Sequence, residues 1–540
     1  MMKRFNKIHV ALLSLALIPL ASSCFEDDVN RSMYEADADE MNRENHIVGA
    51  SLRGMQALVI PIQEHLYQFM DAMAGGAYGG YMEGIVDTWV MKFSTYNPEQ
   101  GWLKAPFADP IKNLYPQYRD MIAKTDDPVA LALGKILRVC AMHRVTDMFG
   151  PIPYSRMLDA GNAGDNLAVA YDSQEEVYRT MLAELEEADA VLAENEHISA
   201  EAFRKLEDLY YGDITKWRRF VHSMQLRMAM RMAYVKPDLA RQTAEKAVAA
   251  GVMTDNADNA MLHVAENRSA LMFNDWNDYR ISADLVSVMK GYNDPRMEKM
   301  LVKGTATVSE NGASVQKSDF YGVRIGIFTQ KKDEMINTYS KQIITATDPY
   351  LWMNAAEVTF LRAEGALRGW AMGGDAQSLY ERAITLSFEE RGASGADQYI
   401  KDATSVPADY VNPMDGAGVT YSHPAVSDIT IAWEPGEANF ERNLERIITQ
   451  KWIAIFPLGV EAWAEHRRTG YPRFFPAVEN KDPDGSVDTA IGPRRLPYPA
   501  DEYSDNPQFI QQAVQMLGGP DAAGTRLWWD VKDHTADGAR

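Results

Sequence analysis

Helical hydrophobic spacing constrains this chain more than any other sequence feature. The clearest segment begins at Ser173, where Glu176 three residues later predicts a capping box, and ends at Asn195. Its apolar residues recur along one helical face: Val177, Met181, Leu185, Ala188 and Leu192. Comparable spacing predicts further helices over residues 213–232, 355–370, 376–391 and 443–466, the last interrupted at 457–459. Because only residues 322–329 stand out as a candidate strand, we predict a mainly α fold.

Two pairs of these segments predict helical hairpins. Residues 355–370 and 376–391 are joined by a short turn, and the small Ala363 and Ala383 alternate with larger apolar residues. This interleaving is typical of tetratricopeptide-type hairpins, in which small residues let two helices approach closely. Residues 208–250 form a second candidate with a turn at 236–238. No strict repeat is visible, so we predict several degenerate hairpins rather than a regular solenoid.

The helix predicted over 213–232 also carries four arginines, which we expect on the side opposite its apolar face. They are Arg218, Arg219, Arg227 and Arg231.

Composition excludes several classes of function. With 540 residues, of which 46% are hydrophobic, the chain can bury a large core. Its formal charge of −22 argues against nucleic-acid binding, which needs a basic face, and disfavours direct binding to an anionic membrane surface. After residue 24 no apolar stretch approaches the roughly 18–20 residues of a membrane helix, so a lipid would be the only membrane anchor.

The amino terminus predicts export and lipidation. A basic start precedes an apolar run over residues 10–20 and small residues at 21–23, which together indicate a signal peptide over residues 1–23. Cys24 follows directly, as in bacterial lipoproteins whose acylated cysteine begins the mature chain, although the large apolar Leu20 stands four positions before it rather than three. An ordinary export signal with a chance cysteine is the alternative. Residues 24–45 are polar and acidic, and we interpret them as a lipidated tether before a domain over residues 46–540.

Cysteine content argues against a disulfide framework. The chain has two cysteines, and acylation of Cys24 would leave Cys140 without a partner. Cys140 lies between Val139 and Ala141 in an apolar helical pattern, so we predict a small buried residue there.

Short motifs along the whole chain carry a family resemblance. They comprise residues 146–155, 212–213, 226–231, 293–296, 356–364, 450–454, 461–463, 467–472, 494–499, 502, 506 and 528–530. In this order, and behind such an amino terminus, they make the chain similar to the SusD/RagB family of outer-membrane nutrient-binding lipoproteins, particularly its SusD-like-2 branch. The acidic residues 26–28 also resemble the tag that exports lipoproteins of the Bacteroidota to the cell surface.

The resemblance implies a fold and a function. The expected fold is a SusD-like α/α fold, in which tetratricopeptide-like hairpins support an irregular, loop-rich ligand-binding region. The expected protein is a surface-exposed, lipid-anchored binder that delivers a glycan to a SusC-like TonB-dependent transporter and that is not an enzyme. The alternatives are a peptide-binding member of the same family and a helical-repeat scaffold that contacts only protein partners.

Two aromatic stretches are candidates for the ligand site, because sugar rings stack on exposed aromatic planes beside polar groups. Residues 74–107 interleave glycines with aromatics, and residues 273–292 surround Trp276 with polar side chains. We expect both stretches to be exposed loops. The candidate ligand-binding residues are Tyr78, Trp89, Tyr96, Trp102, Asn274, Trp276 and Tyr279. The alternative is that most of these aromatics fill the core.

The shared motifs are interpreted as structural rather than as ligand contacts. We expect Trp463, Arg467 and Arg468 to support the scaffold through caps or ion pairs, residues 293–296 to form a turn before a helix, and residues 528–529 to pin the carboxyl-terminal segment.

No catalytic motif is evident in the sequence. Zinc-protease, nucleophile-elbow and phosphate-loop patterns are missing, so we predict no metal site and no cofactor. That the protein has no catalytic residues is implied by the family resemblance rather than by these missing patterns. Residues 482–488 are spaced somewhat like a calcium loop, but the glycine falls too early, and a surface turn is favoured.

Overall fold

Helices form most of this computed structural model, which describes residues 46–159, 168–198, 204–310, 313–328, 331–415 and 420–533. The predicted signal peptide, Cys24 and the acidic tether lie outside the described residues. The longer helices are α1 (His46–Val59), α3 (Gln100–Lys124), α4 (Pro128–Phe149), α5 (Gln174–Glu194), α6 (Ile214–Arg231), α7 (Pro237–Ala250), α9 (Ala283–Gly291), α12 (Ala355–Leu367), α13 (Ala376–Arg391), α15 (Phe440–Ala454), α16 (Gly459–Thr469) and α18 (Pro507–Leu517).

Short helices complete the set. They are α2 (Glu64–Tyr67), which continues into a π-helix (Gln68–Gly76), then α8 (Ala270–Asn274), α10 (Met297–Met300), α11 (Lys332–Thr338), α14 (Ala396–Tyr399) and α17 (Ala500–Asp505). Single 3₁₀ turns occur at Phe93–Thr95, Ser155–Leu158, Asn256–Asp258 and Glu437–Asn439.

Three predicted helix starts are confirmed because local caps fix them, whereas the helix predicted over 355–370 ends at Leu367 and the segment predicted over 443–466 extends from Phe440 to Thr469. Ser173 and Glu176 form the predicted capping box at the start of α5. Asp213 accepts a hydrogen bond from the Lys216 N–H at the start of α6, and Asp375 accepts one from the Ser378 N–H at the start of α13. The interrupted segment 443–466 becomes two helices, α15 and α16.

Strands are short and occur as antiparallel pairs. They are β1 (Met82–Gly84) with β3 (Tyr279–Ile281), β2 (Ala260–Leu262) with β8 (Tyr350–Met353), β4 (Leu301–Val302) with β7 (Lys341–Gln342), and β5 (Gly304–Glu310) with β6 (Ala313–Asp319). The strand predicted over 322–329 is wrong for residues 322–328, and residue 329 lies outside the described residues. Val323 makes an isolated bridge to Ser282, and the chain then turns at Gly326, whose φ is +75°.

Helical hairpins dominate the packing, which confirms the predicted fold class. The pairs α4–α5, α6–α7 and α12–α13 pack along their lengths. Ala363 and Ala383 are fully buried in the α12–α13 pair, and Ala240 and Ala244 are fully buried on α7. Small residues at these positions let the helices approach as predicted.

A buried ionic network joins the hairpins at the centre of the protein. Arg231 contacts Asp147, Glu461 and Glu465, and Arg468 contacts Glu364 and Glu465. Burial alone would raise the pKa of Glu465, but Arg468, Lys451 and Arg231 outweigh it and hold that pKa well below its ordinary value.

This network corrects one prediction and confirms another. Arg227 and Arg231 were expected on the face of α6 opposite its apolar residues, but both are buried and paired with carboxylates. The structural interpretation of Trp463, Arg467 and Arg468 is confirmed, because all three side chains are buried at 0–1% exposure.

The residues of two other sequence motifs, 293–296 and 482–488, also make structural contacts. Arg296 is buried and pairs with Asp294, and Asp482 accepts a hydrogen bond from the Val487 N–H within a turn. Cys140 is buried as predicted, and burial raises the pKa of its thiol to about 12.

The carboxyl-terminal segment closes the end of α4. Trp529 is fully buried and donates its indole N–H to Asp147 Oδ1 at 3.0 Å, so the predicted pinning role is confirmed for this residue, while Trp528 is half-buried. Arg495 donates to the Phe149 carbonyl, and the Tyr498 hydroxyl donates to the Pro151 carbonyl. In the described part of the chain, no helix has the length and apolarity needed to span a bilayer.

Candidate functional site

The pairing of β1 with β3 brings the two predicted aromatic stretches together. Its register places Met82 opposite Ile281 and Gly84 opposite Tyr279. The loop after β1 carries Trp89, and the loop before β3 carries Trp276. Trp89 packs over Gly84 and against Tyr279, with ring centroids 5.9 Å apart.

Five aromatic side chains lie beside this pairing, and we call them the aromatic surface: Phe69, Trp89, Trp102 and Trp276, which are half-buried, and His65, which is exposed. His65 stacks on Trp276 with ring centroids 5.4 Å apart and planes 15° apart. Phe69 lies 5.8 Å from Trp102, which in turn lies 5.8 Å from Trp89. His65 lies in α2 and Phe69 in the π-helix that continues it, so this one segment of chain supplies a ring beside Trp276 and a ring beside Trp102.

Polar groups flank the Trp276 end of the aromatic surface. Arg268 donates two hydrogen bonds to the Glu64 carboxylate, at 2.7 and 2.8 Å. The Arg268 hydrogen bonds lower the pKa of Glu64 to about 2. Lys332 donates to the Trp276 carbonyl at 2.8 Å, and Asn274 is exposed with its amide held by the Ile344 carbonyl.

A buried ion pair holds the loop that carries Trp89. Lys92 donates to Glu83 Oε1 at 2.5 Å and to the Ile327 carbonyl at 2.8 Å. Glu83 also accepts from the Ser94 hydroxyl and from the Gly326 N–H. These bonds tie both ends of the loop to the segment around Gly326, so the loop is positioned by buried polar contacts.

The two aromatic stretches are not the exposed loops expected from sequence. Trp102 lies in the first turn of α3 rather than on a loop. Gly75 and Gly76 lie in the π-helix, where a Cβ on Gly75 would come within 2.6 Å of the Val460 nitrogen. Glycine therefore serves close backbone packing against α16 rather than loop flexibility.

The expectation of exposure is wrong for three candidate residues. Tyr279 is fully buried beneath Trp89, Tyr78 is 7% exposed beside Trp463, and Tyr96 is 6% exposed beside Tyr78. Burial raises the pKa of Tyr279 well above its ordinary value. Trp89, Trp102, Asn274 and Trp276 remain at least partly exposed.

A separate cleft was missed by sequence reasoning. It has a volume of about 380 Å³ and is lined by His423, Ala425, Val426, His466, Gly470, Arg473, Phe474, Pro476, Ala490, Ile491 and Arg494. The available signal was an arginine and two phenylalanines between Pro472 and Pro476. Its other walls come from distant segments, which no local pattern brings together.

Comparison with known proteins identifies the family. The family model described as SusD-like, SusD and RagB outer membrane lipoprotein, matches residues 28–530. The chain belongs to the SusD-like family. The family prediction is confirmed, and the narrower assignment to the SusD-like-2 branch stays a prediction.

Solved SusD homologues agree with this assignment. A SusD homologue from Bacteroides thetaiotaomicron VPI-5482 is 50% identical, with a TM-score of 0.84, covering 90% of this chain and 99% of its own. A SusD homologue from Bacteroides ovatus ATCC 8483 is 39% identical, with a TM-score of 0.83. A chitin-binding SusD homologue from Flavobacterium johnsoniae is 38% identical, with a TM-score of 0.81. Both matches cover 90% of this chain and 99% of the other chain. Among curated proteins, no sequence matches this chain.

Membership in the SusD-like family sets the general class of function. The family comprises outer-membrane lipoproteins that bind nutrients. In this SusD-like protein, the helical hairpins and the ionic network form the scaffold, and the aromatic surface is a candidate ligand site.

Proposed function

We propose that this protein binds a glycan on its aromatic surface and passes it to a SusC-like TonB-dependent transporter. The observation that carries the proposal is that the β1–β3 pairing joins the two aromatic stretches that hold three half-buried indoles, Trp89 in contact with Trp102, and Trp276 in contact with His65. Half-buried indoles are anchored on one side and present apolar area on the other, which suits stacking with the C–H face of a sugar ring. The neighbouring charged and amide groups supply partners for sugar hydroxyls.

A relative supports the choice of a glycan. The SusD homologue from Flavobacterium johnsoniae, 38% identical to this chain, is a chitin-binding protein. We therefore propose that a glycan is the ligand here too and use chitooligosaccharides as the first probes. A peptide ligand is the alternative.

The test combines a binding screen with substitutions. The purified protein is screened against a glycan array that includes chitooligosaccharides and against a peptide panel, and affinities are then measured calorimetrically. For a bound glycan, Trp276→Ala and Trp102→Ala should each weaken binding about 5- to 150-fold, as expected for the loss of an aromatic hot spot. The glycan should be recovered intact after incubation, because we propose binding without turnover.

A matched control separates binding from folding. Trp433 is also half-buried but packs on Tyr380, outside the aromatic surface. Trp433→Ala should affect the melting temperature as much as Trp276→Ala does while leaving the affinity unchanged. If both substitutions on the aromatic surface leave the affinity for a verified glycan unchanged, the proposed site is wrong.

Surface display is the second part of the proposal. We propose that Cys24 is acylated and that the acidic residues 26–28 direct the lipoprotein to the cell surface. Cys24→Ala should abolish fatty-acid labelling and release the protein from the membrane fraction. Replacing residues 26–28 with alanine should keep the label but remove cleavage by protease added to whole cells. Surviving label in the first case, or unchanged cleavage in the second, contradicts the respective assignment.

The transporter partnership is tested by purification from detergent-solubilised outer membranes. A SusC-like protein should co-purify with the tagged lipoprotein. Recovery of the lipoprotein alone, under conditions that keep other outer-membrane complexes intact, would count against this part of the proposal.

A further inference from the structure

A small chamber extends the cleft beside the carboxyl-terminal end of α16 into the protein. The cleft has a volume of about 380 Å³, and the chamber has a volume of about 40 Å³. The two spaces adjoin, because four residues line both of them: His466, Phe474, Ala490 and Ile491. None of the lining residues belongs to the aromatic surface, so the chamber and the cleft are distinct from the proposed glycan site.

The chamber is lined by a buried carboxylate with one unused oxygen. Asp284, in the first turn of α9, is 3% exposed, and its Oδ1 accepts a hydrogen bond from the Phe475 N–H at 2.7 Å. Among the described residues, none donates a hydrogen bond to the other oxygen, Oδ2, which is also buried. A buried acceptor without a donor costs free energy, so a ligand that donates to Oδ2 removes this cost. A second void beside Asp284 has a volume of about 10 Å³, which is too small for more than about one water molecule.

The Asp284 carboxylate also has no ion-pair partner in the described part of the chain. Arg324 is a nearby cation that lowers its pKa, but two guanidinium nitrogens of Arg324 donate to the Tyr421 and Pro476 carbonyls, at 2.9 and 2.7 Å. Burial outweighs Arg324 and raises the pKa of Asp284 to about 6, so the group is mostly ionised at neutral pH. A charged group that is buried without a paired ion is typical of functional sites.

The arginines in the cleft wall are each paired with a carboxylate outside it. Arg494 donates two hydrogen bonds to Asp530, at 2.7 and 2.6 Å, and Arg473 is ion-paired with Glu445 at 3.6 Å. The described lining of the chamber and the cleft includes no acidic residue besides Asp284. A cation that enters the cleft therefore meets paired arginines at the wall and an unpaired carboxylate at the inner end.

Aromatic rings supply much of the remaining lining. Tyr78 and Tyr96 line the chamber, with ring centroids 6.2 Å apart, and the half-buried Phe474 stacks on His466, with ring centroids 4.5 Å apart. A Cβ on Gly80 would come within 2.5 Å of the Phe474 ring, so the glycine is what allows the ring to pack there. Aromatic rings attract cations and also pack against carbon chains. This lining suits a ligand with a positive head and an apolar body.

We infer that the chamber holds the primary ammonium group of a small ligand whose carbon skeleton lies in the cleft. The ammonium donates to Asp284 Oδ2, and Phe474 with Ile491 packs against the skeleton. A volume of about 40 Å³ admits a group of this size, because about 10–15 Å³ is enough for a water molecule. The ammonium could belong to an amino sugar or to the amino terminus of a short peptide, and both sources offer the same chemistry to Asp284.

Matched ammonium and neutral probes test this inference at neutral pH. Binding of D-glucosamine is compared with that of D-glucose, and binding of L-alaninamide is compared with that of propionamide, by ligand-observed NMR titration. At least one ammonium probe should bind about tenfold or more tightly than its neutral counterpart, as expected for a charge-assisted hydrogen bond. The pair that shows this difference identifies the source of the ammonium.

Substitutions assign the binding to the chamber. Asp284→Asn keeps a carbonyl acceptor for the Phe475 N–H but removes the charge, and it should weaken binding of the ammonium probe about 10- to 100-fold. Ala490→Trp, at an exposed position that lines both spaces, should block entry from the cleft. Asp397→Asn, at an exposed carboxylate on α14, removes the same charge and should leave binding unchanged. Melting temperatures establish that each variant is folded.

The results can overturn the inference independently of the proposed glycan site. Trp276→Ala should leave binding of the ammonium probe unchanged, because Trp276 lies on the aromatic surface. Equal affinity for ammonium and neutral probes, or no binding of either ammonium probe at about 10 mM, would show that the chamber holds water alone and would overturn the inference. An unchanged preference for the ammonium probe in either Asp284→Asn or Ala490→Trp would also overturn it.

Discussion

Asp284 is a buried carboxyl group whose charge destabilises the folded protein at neutral pH. It lies in the first turn of α9, is 3% exposed and accepts a hydrogen bond from the Phe475 N–H at 2.7 Å. Burial raises the pKa of Asp284 from 3.8 to about 6, although the Phe475 N–H and the nearby Arg324 partly oppose this effect. Asp284→Asn keeps a carbonyl acceptor for Phe475 and removes the charge.

Proton linkage gives the direction in which pH changes the free energy of unfolding. The folded state holds the Asp284 proton more tightly than the unfolded state does, so this group lowers the free energy of unfolding as the pH rises from about 4 to about 6. The pKa difference corresponds to about 3 kcal/mol. Asp284→Asn should therefore match the wild type at pH 4 and exceed its stability by up to about 3 kcal/mol at pH 7.5.

Thermal unfolding from pH 4 to pH 8 measures this difference. At roughly 2.1 cal/mol/K per residue, a chain of this length unfolds with an entropy of about 1 kcal/mol/K, so the melting temperature should rise by about 3 °C at pH 7.5. Asp402→Asn is the control with the opposite sign, because hydrogen bonds from Ser405 and Thr404 lower the pKa of Asp402. It should be less stable than the wild type by a nearly constant amount from pH 4 to pH 8, because the pKa of Asp402 lies below this range in both the folded and the unfolded state. A difference between Asp284→Asn and wild type that does not vary with pH would refute the reasoning.

Three further predictions concern the scaffold. Arg468→Met should lower the free energy of unfolding by about 3–5 kcal/mol in urea titrations, because it leaves the buried carboxylates of Glu364 and Glu465 without this partner. A change near zero would contradict the role of the ionic network. Gly459→Ala should lower the free energy of unfolding by about 1–3 kcal/mol in the same assay, since its Cβ would lie 2.4 Å from the Gly75 carbonyl carbon. An unchanged urea midpoint would show that the two backbones can separate freely. In a chain that also carries Cys24→Ala, Cys140 should resist a thiol reagent at pH 8 until denaturant is added, and rapid labelling of the folded protein would contradict its burial.

Helices were predictable because their causes are local. The capping box at Ser173, the cap at Asp375 and the small residues at Ala363 and Ala383 each depend on neighbours within a few residues or on one adjacent helix. The same reasoning failed at residues 322–328, where the backbone partners are separate segments and a left-handed glycine turns the chain.

The candidate site was predictable only in part, because exposure is decided by distant segments. Pairing of β1 with β3 places Tyr279 beneath Trp89, and packing against Trp463 buries Tyr78. Arginine burial has the same origin, since the carboxylates that compensate Arg231 come from α4 and α16. Local patterns find aromatic and basic residues, but they do not reveal which partner covers each one.

The closure of α4 by the carboxyl-terminal segment makes completion of the fold a late event. The hydrogen bonds of Arg495, Tyr498 and Trp529 to residues 147–151 join positions 346 to 382 residues apart. Contacts of such long range require the entropy of a very large loop to be lost before they form, which slows folding. A chain that ends before residue 494 also lacks the Trp529 indole that donates to Asp147. The helix α4 is synthesised early, but its native contacts are complete only after the carboxyl-terminal segment has been synthesised.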